Sequence, residues 1–289
     1  MSDTLQRFLF EHAPIRGEIV QIEAAWRSVL EHHDYPPALR VILGEMMAAA
    51  ALLAATLKFD GALIMQIQGS GPVRLLVVEC TSSHHMRATA KWSGELPGGG
   101  LRDLVGDGRF VISLVPEDGR QSYQGVVDLE GTSVAQILEH YMQHSEQLET
   151  RLWLACDDTR AAGLLLQKLP QPENADPDAW PRALHLAATL KPGELLGLPA
   201  QQMLHRLYHQ EDLRLFEPRP VSFRCSCSRD RVAGMLRMIG YDEVKTILHE
   251  RGAIDVNCEF CNRKYQFDSV DAEQVFAAEY ATRPGPTRH

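Results

Sequence analysis

"FRCSCSRD", residues 223–230, and "NCEFCNRKY", residues 257–265, decide how the end of this chain is read. The first places Cys225 and Cys227 one residue apart. The second places Cys258 and Cys261 two residues apart, and thirty residues separate the pairs. Ser228 can cap a helix with a stripe of Val232, Met235, Leu236 and Ile239, which Gly240 ends. Asp242 can cap a second helix carrying Val244, Ile247 and Leu248, which ends near Gly252. "AIDVNCEFCNRKYQF" then reads as a hairpin with the second cysteine pair at its tip. Ile254 and Val256 alternate on the way in, and Tyr265 and Phe267 on the way out. The tight turn after Cys261 wants a positive φ, which Asn262 tolerates best after glycine.

C-x-x-C at a hairpin tip is a strong zinc signal, and C-x-C joined to it completes four thiolates for a tetrahedral ion. Zinc–sulfur bonds of about 2.3 Å require the four sulfurs to lie within roughly 4 Å of one another. The two intervening helices can fold the chain back to achieve this. A site closed by four cysteines leaves no position for activating water, which argues against hydrolytic zinc catalysis.

Three readings remain open on spacing alone. One is a zinc module that only holds a fold. Another is a nucleic-acid zinc ribbon, disfavoured by eight Lys/Arg against seven Asp/Glu between Arg224 and Asp268. The last is a redox switch. Residues i and i+3 across a turn reach disulfide geometry readily, and residues i and i+2 reach it with more strain. Zinc is worth on the order of 10–16 kcal/mol to such a module, which a segment this small cannot replace from its own core. Oxidation would therefore unfold it.

Six cysteines and an N-terminus without a basic segment leading into an apolar run point to a reducing cytosol. Cys80 ends "VRLLVVEC" and Cys156 ends "RLWLAC"; both read as core residues. A net charge of −9 argues against general binding to nucleic acid or anionic membranes. Residues 41–57, "VILGEMMAAAALLAATL", are apolar nearly all round. They are short of the roughly 20 residues a membrane span needs, and they carry Glu45, so a buried helix is expected.

Upstream, the chain reads as an α+β domain on a largely antiparallel sheet with packed helices. "EIVQIEAAWRSVLEHHDY" spaces Ile22, Trp26, Val29 and Leu30 as a helix, although its first residues suit a strand equally. "ALIMQIQGSGPVRLLVVEC" reads as a hairpin turning at Gly69–Pro72, and strands follow in "HMRATAKWSGEL" and "GRFVISLVPEDGRQSYQGVVDL". "TSVAQILEHYMQHSEQL" is a helix capped by Thr132 or Ser133. "TRLWLACDD" and "AGLLLQKLP" are two further strands. From Pro170 the texture changes to a polar, proline-rich loop. Short amphipathic helical pieces follow, interrupted at Pro192 and Pro199, with too little core to stand alone. The expected organisation is an N-terminal domain over 1–172, a helical linker over 173–220, a four-cysteine zinc module over 221–268 and a tail over 269–289, read as a short helix with a loose end.

"LFEHAPIRGEIV", "HHDYP", "LLAATLKFDG", "IQGSGPVRLLVVE", "YQGVVDLEG", "SEQLETRLW", "LHRLYHQED" and "FRCSCSRDR…NCEFCNRKYQF" closely resemble the heat-shock protein 33 family, the 33 kDa chaperonins, over nearly the whole chain. The resemblance implies a cytoplasmic, non-enzymatic holdase chaperone that is inactive when reduced and loaded with one zinc ion. Carried over by position, Cys225, Cys227, Cys258 and Cys261 would be the ligands, and Cys225–Cys227 and Cys258–Cys261 the redox-active disulfides. Oxidation would release zinc, loosen the linker, turn a monomer into a homodimer and expose surface for unfolding clients. Asn262 stands where many relatives have glycine, a mild departure. The alternative is a zinc-stabilised interaction or regulatory protein without redox function. The pairs His205/His209 and His140/His144 lack a further ligand and read as solvated helix faces. "GSG" at 69–71 reads as a turn, because no Lys-Ser/Thr follows to hold phosphate.

Overall fold

The computed structural model of the chain describes residues 3–170 and 176–282. The expected loop at 171–175 and the final residues from 283 lie outside these. The chain divides into two compact units, Met1–Arg224 and Cys225–His289.

The first unit runs β1 (Thr4–Phe10), β2 (Ile15–Ile22), α1 (Ala24–His32), α2 (Pro37–Thr56), β3 (Gly61–Gly69), β4 (Val73–Thr81) and β5 (His85–Trp92). It continues with α3 (Leu101–Val105), β6 (Gly108–Pro116), β7 (Tyr123–Asp128), α4 (Val134–His144), β8 (Thr150–Cys156) and β9 (Ala161–Lys168). Then come α5 (Ala179–Ala187), α6 (Pro192–Gly197), α7 (Ala200–Tyr208), β10 (Leu213–Leu215), β11 (Arg219–Pro220) and β12 (Ser222–Phe223). The α+β class and the antiparallel pairing are as the sequence implies. The strands divide into two six-stranded sheets, one ordered β10-β1-β2-β9-β8 with β11 also on β1, the other β12-β5-β4-β3-β6-β7.

The first sheet buries both faces, which explains its composition. Along β2, Val20 and Ile22 enter the larger core while Ile15 and Ile19 enter a second one. In β9, Leu165 enters the larger core, and Leu164 and Leu166 the second. A strand covered on both sides loses the apolar–polar alternation and reads as a continuous apolar run. The ambiguous residues 18–22 are strand, and α1 begins only at Ala24. The carboxylate of Asp3 caps α1 by accepting from the backbone N–H groups of Glu23, Ala24 and Ala25 at 2.6–2.9 Å.

Helix α2 is long and apolar enough to cross a membrane by length and composition, but 72% of that apolar window is buried inside this unit. It packs against strands of both sheets, so it has no polar face to keep. Gly44 permits its close approach to β8: a Cβ there would lie 2.1 Å from the Cys156 sulfur. Cys80 is fully buried, and burial pushes its thiol up to about 12. Burial also raises the half-buried Cys156.

The proline-interrupted helices lie on the other face of the first sheet. Ala183, Leu195, Leu204 and Leu207 join Phe8, Phe10 and Ile19 in the second core. The Tyr208 ring meets Phe10 edge-on at 5.0 Å, and its hydroxyl donates to the Ala183 carbonyl at 3.2 Å. Gln21 Nε2 donates to the carbonyls of Leu195 (3.3 Å) and Leu198 (2.7 Å), satisfying the exposed end of α6. Residues 213–223 are not helical, unlike the pieces before them. They are extended: β10 and β11 pair antiparallel with β1, and β12 pairs parallel with β5.

The second unit holds α8 (Arg229–Ile239), α9 (Tyr241–Arg251), β13 (Ile254–Asn257), β14 (Lys264–Phe267) and α10 (Ser269–Thr282). Ser228 caps α8, its hydroxyl accepting from the Arg231 N–H at 3.2 Å. Gly240, at φ 99°, ends α8 and stands at the start of α9, so Asp242 lies within the first turn rather than capping it. Gly252 closes α9 in the left-handed region. The core here is small: Val232, Leu236, Val244, Ile254 and Phe267, joined by Ala272 and Phe276 of α10. The segment expected to be a tail therefore contributes to this core.

Candidate metal centre

The antiparallel pair β13–β14 places Cys258 and Cys261 at its tip. Cys258 N–H donates to the Arg263 carbonyl (2.9 Å), and Asn262 N–H donates to the Cys258 carbonyl (2.8 Å). Asn262 has the positive φ expected of it, 53°. The turn therefore aims both thiols the same way. Cys225 and Cys227 come from the extended segment that ends at the Ser228 cap. Arg229 stitches this segment to the hairpin. Its guanidinium donates to the Gln266 carbonyl (2.8 Å), pairs with Asp271 (2.7 Å) and lies over the Phe267 ring at 4.2 Å. Arg231 donates to the Ser226 hydroxyl at 2.7 Å.

All four thiols converge, with every sulfur within 4.8 Å of every other. The Cys225–Cys258 sulfurs are 3.5 Å apart and the Cys227–Cys261 sulfurs 3.4 Å. A tetrahedral ion with bonds of about 2.3 Å would need sulfurs about 3.8 Å apart, so the donor set fits such an ion with little movement. The donors are soft and half-buried, as a zinc–thiolate site requires.

The sulfurs are not equivalent. Burial pushes Cys225 up, and burial together with the contacts to its neighbouring sulfurs pushes Cys261 up to about 12. Burial acts the same way on Cys227, but its contacts with Tyr265 and the neighbouring sulfurs outweigh it and hold that thiol at about 7. The Tyr265 hydroxyl donates to the Cys227 sulfur at 3.1 Å. Sequence reading placed Tyr265 only as an alternating strand residue, and Arg229 escaped it altogether. Neither role has a local signature, because each depends on a partner 37 or 38 positions away.

The weaker candidates do not assemble. Among the described residues, the four cysteines are the group of His, Cys, Asp or Glu whose ligand atoms converge in this way. The His140 and His144 rings stack at 4.0 Å, and the His205 and His209 rings lie 6.5 Å apart; among the described residues neither pair gathers a third converging ligand. In the Gly69–Gly71 turn, Ser70 and Gly71 spend their N–H groups on the Asp107 and Val105 carbonyls, so they are not free to cradle phosphate.

Fold and site together define a class of protein: an α+β unit followed by a small unit gathered around four thiols able to bind a metal ion. Residues 3–268 match the family model described as Hsp33 protein. Three relatives, each described as a 33 kDa chaperonin, match end to end. That of Methylobacillus flagellatus is 56% identical, covering 100% of this chain and 99% of the relative. That of Chromobacterium violaceum is 50% identical, covering 99% and 98%, and that of Nitrosococcus oceani 48%, covering 99% of each. The crystal structure of the 33 kDa chaperonin (heat shock protein 33 homolog) of Thermotoga maritima shares the fold. Its TM-score is 0.83 over 96% of this chain and 99% of that one, at 20% identity. The chain belongs to the Hsp33 family, a family of chaperones and not of enzymes.

Proposed function

We propose that this chaperone is a holdase switched by thiol oxidation. The observation that carries the reading is the convergence of four thiols in a unit whose apolar core is small. In the reduced state Cys225, Cys227, Cys258 and Cys261 hold one zinc ion as thiolates. Bound there, zinc would link the two ends of the unit, a link worth on the order of 10–16 kcal/mol. Neighbouring thiolates then pair, Cys225 with Cys227 and Cys258 with Cys261. Each pair surrenders two electrons and forms one S–S bond; a peroxide takes the electrons with two protons from solvent and leaves as water. Sulfurs bonded in this way no longer serve as thiolate ligands, and the core of this unit cannot hold the fold alone.

The domains act in sequence on this reading. Residues 221–268 are the switch. Residues 173–220 are the linker that it restrains, and 1–172 the platform on which the linker docks. Release of α5–α7 uncovers Leu195, Leu204 and Leu207 and the sheet face of Phe8, Phe10 and Ile19. Apolar surface made available only under oxidation suits capture of unfolding clients and avoids a standing aggregation hazard. The reduced chain is a monomer and the oxidised chain a homodimer. Each of the six cysteines is a thiol and not half of a disulfide, which suits a reducing bacterial cytoplasm. The test is client aggregation followed by light scattering, with the protein reduced and then oxidised by peroxide. A zinc-stabilised interaction protein without redox function would behave alike in both states.

A further inference from the structure

A cavity of about 330 Å³ opens in the first unit, with walls from both sheets. Leu53 of α2, Leu63 of β3, Ile112 and Leu114 of β6 and Met142 of α4 make it apolar. Arg16 of β2 reaches it from the other sheet. The volume lies within the range of small-molecule sites, which combine apolar walls with few convergent polar groups.

Arg16 is the unusual member. It is half-buried, and its guanidinium donates to the side-chain oxygen of Gln167 through Nε at 2.8 Å and through Nη2. That engages two of its five N–H groups. Among the described residues, no carboxylate lies within ion-pair distance of it. Glu18, two residues along the same strand face, is fully buried, and among the described residues its carboxylate oxygens find no hydrogen-bond partner. Burial pushes the Glu18 carboxyl up to about 7, against the pull of Arg16 and Arg7, so at neutral pH it offsets only part of the Arg16 charge. Glu146, at the rim, is occupied as an acceptor by the hydroxyls of Tyr141 at 2.5 Å and Tyr123 at 3.5 Å. An undercompensated guanidinium beside an apolar cavity calls for a ligand with a tail and an anionic head, which arginine can hold by two parallel hydrogen bonds.

We propose that this cavity binds an amphiphilic anion, a carboxylate on an apolar tail of medium length. The tail lies against Leu63, Ile112, Leu114 and Met142, and the headgroup is held by Arg16. The site is independent of the thiol switch and is tested in the reduced, full-length chain.

The experiment compares decanoate, decanol and decyltrimethylammonium by calorimetric titration below their micelle concentrations. Decanoate is expected to saturate at one per chain, about tenfold or more tighter than decanol, as one charge-assisted contact provides. The cation is expected not to bind. Arg16→Gln should bring decanoate to the level of decanol, and Leu114→Trp, which fills the cavity, should abolish both. Thermal unfolding without ligand checks that each variant folds. Met142→Trp fills the cavity from another wall should Leu114→Trp fail to fold. Equal affinity for decanoate and decanol in the unaltered chain, or decanoate binding that survives filling, overturns the proposal. Failure of decanoate to bind also overturns the proposal, and if filling then weakens capture of unfolded clients by the oxidised chain, the occupant is a client side chain.

Discussion

The sulfur of Cys227 lies 3.4 Å from that of Cys261, thirty-four positions further along the chain. Cys225 and Cys258 form the matching contact at 3.5 Å. These two contacts join the two ends of the unit, whereas the proposed disulfides join neighbours in sequence. Oxidation within the folded unit would trap Cys227–Cys261 or Cys225–Cys258. Oxidation coupled to unfolding favours Cys225–Cys227 and Cys258–Cys261, which need no long-range approach. Peptide mass mapping after mild peroxide treatment should find the neighbouring pairs in the majority. A majority of cross-linked ends would mean the unit stays folded as it oxidises.

Replacing one thiol should separate metal loss from oxidation. Cys258→Ser leaves three thiolates and a hydroxyl, a poorer zinc site. The variant is expected to carry less than one zinc per chain after dialysis against a chelator that leaves the unaltered protein loaded. Residues 225–276 should also become sensitive to protease. Full zinc occupancy together with unchanged protease resistance would remove Cys258 from the ligand set.

The docked helices offer a way to bypass the thiols. Leu207 is 8% exposed and belongs to the core that α5–α7 share with the first sheet. Leu207→Asp places a carboxylate on that face, at a cost of several kcal/mol unless the helix leaves. Hydrogen exchange across 179–208 should accelerate, and the reduced, zinc-loaded variant should suppress client aggregation. Fast exchange without suppression would show that exposing this face is not sufficient.

Stability of the first unit should fall as pH rises through neutrality. The Glu18 carboxyl is raised from 4.5 to about 7 in the folded protein, because burial disfavours its charge. It therefore binds its proton more tightly folded than unfolded. Its stabilising contribution is complete below about 4.5 and is lost as pH climbs through about 7, an effect of about 3 kcal/mol. Glu18→Gln cannot ionise, so its thermal midpoint should change less between pH 5 and pH 8 than that of the unaltered chain. Identical profiles would mean that Glu18 is charged or solvated in the folded state.

Legibility in the sequence follows the range of the interactions. The Ser228 cap, the positive φ of Asn262, the β3–β4 hairpin and the four converging cysteines rest on neighbours a few positions apart or on one motif. The burial of α2 showed in its lack of any polar face. The short strands β10, β11 and β12 did not show, because their pairing depends on β1 and β5, well over a hundred residues away. The division into two sheets is likewise set by which strands meet in space. Gly240 displaced Asp242 at the start of α9, since one glycine serves both helices. The contact between Tyr265 and Cys227 is long-range and has no sequence signature of its own.

The most direct measurement of the central claim is the aggregation of a heat-denatured client, followed by light scattering, with this protein present in two states. The reduced, zinc-loaded chain should leave scattering close to that of the client alone. The same preparation after peroxide should suppress it, and a thiol reductant with zinc should restore it. Equal suppression in both states, or none in either, would contradict a chaperone governed by Cys225, Cys227, Cys258 and Cys261.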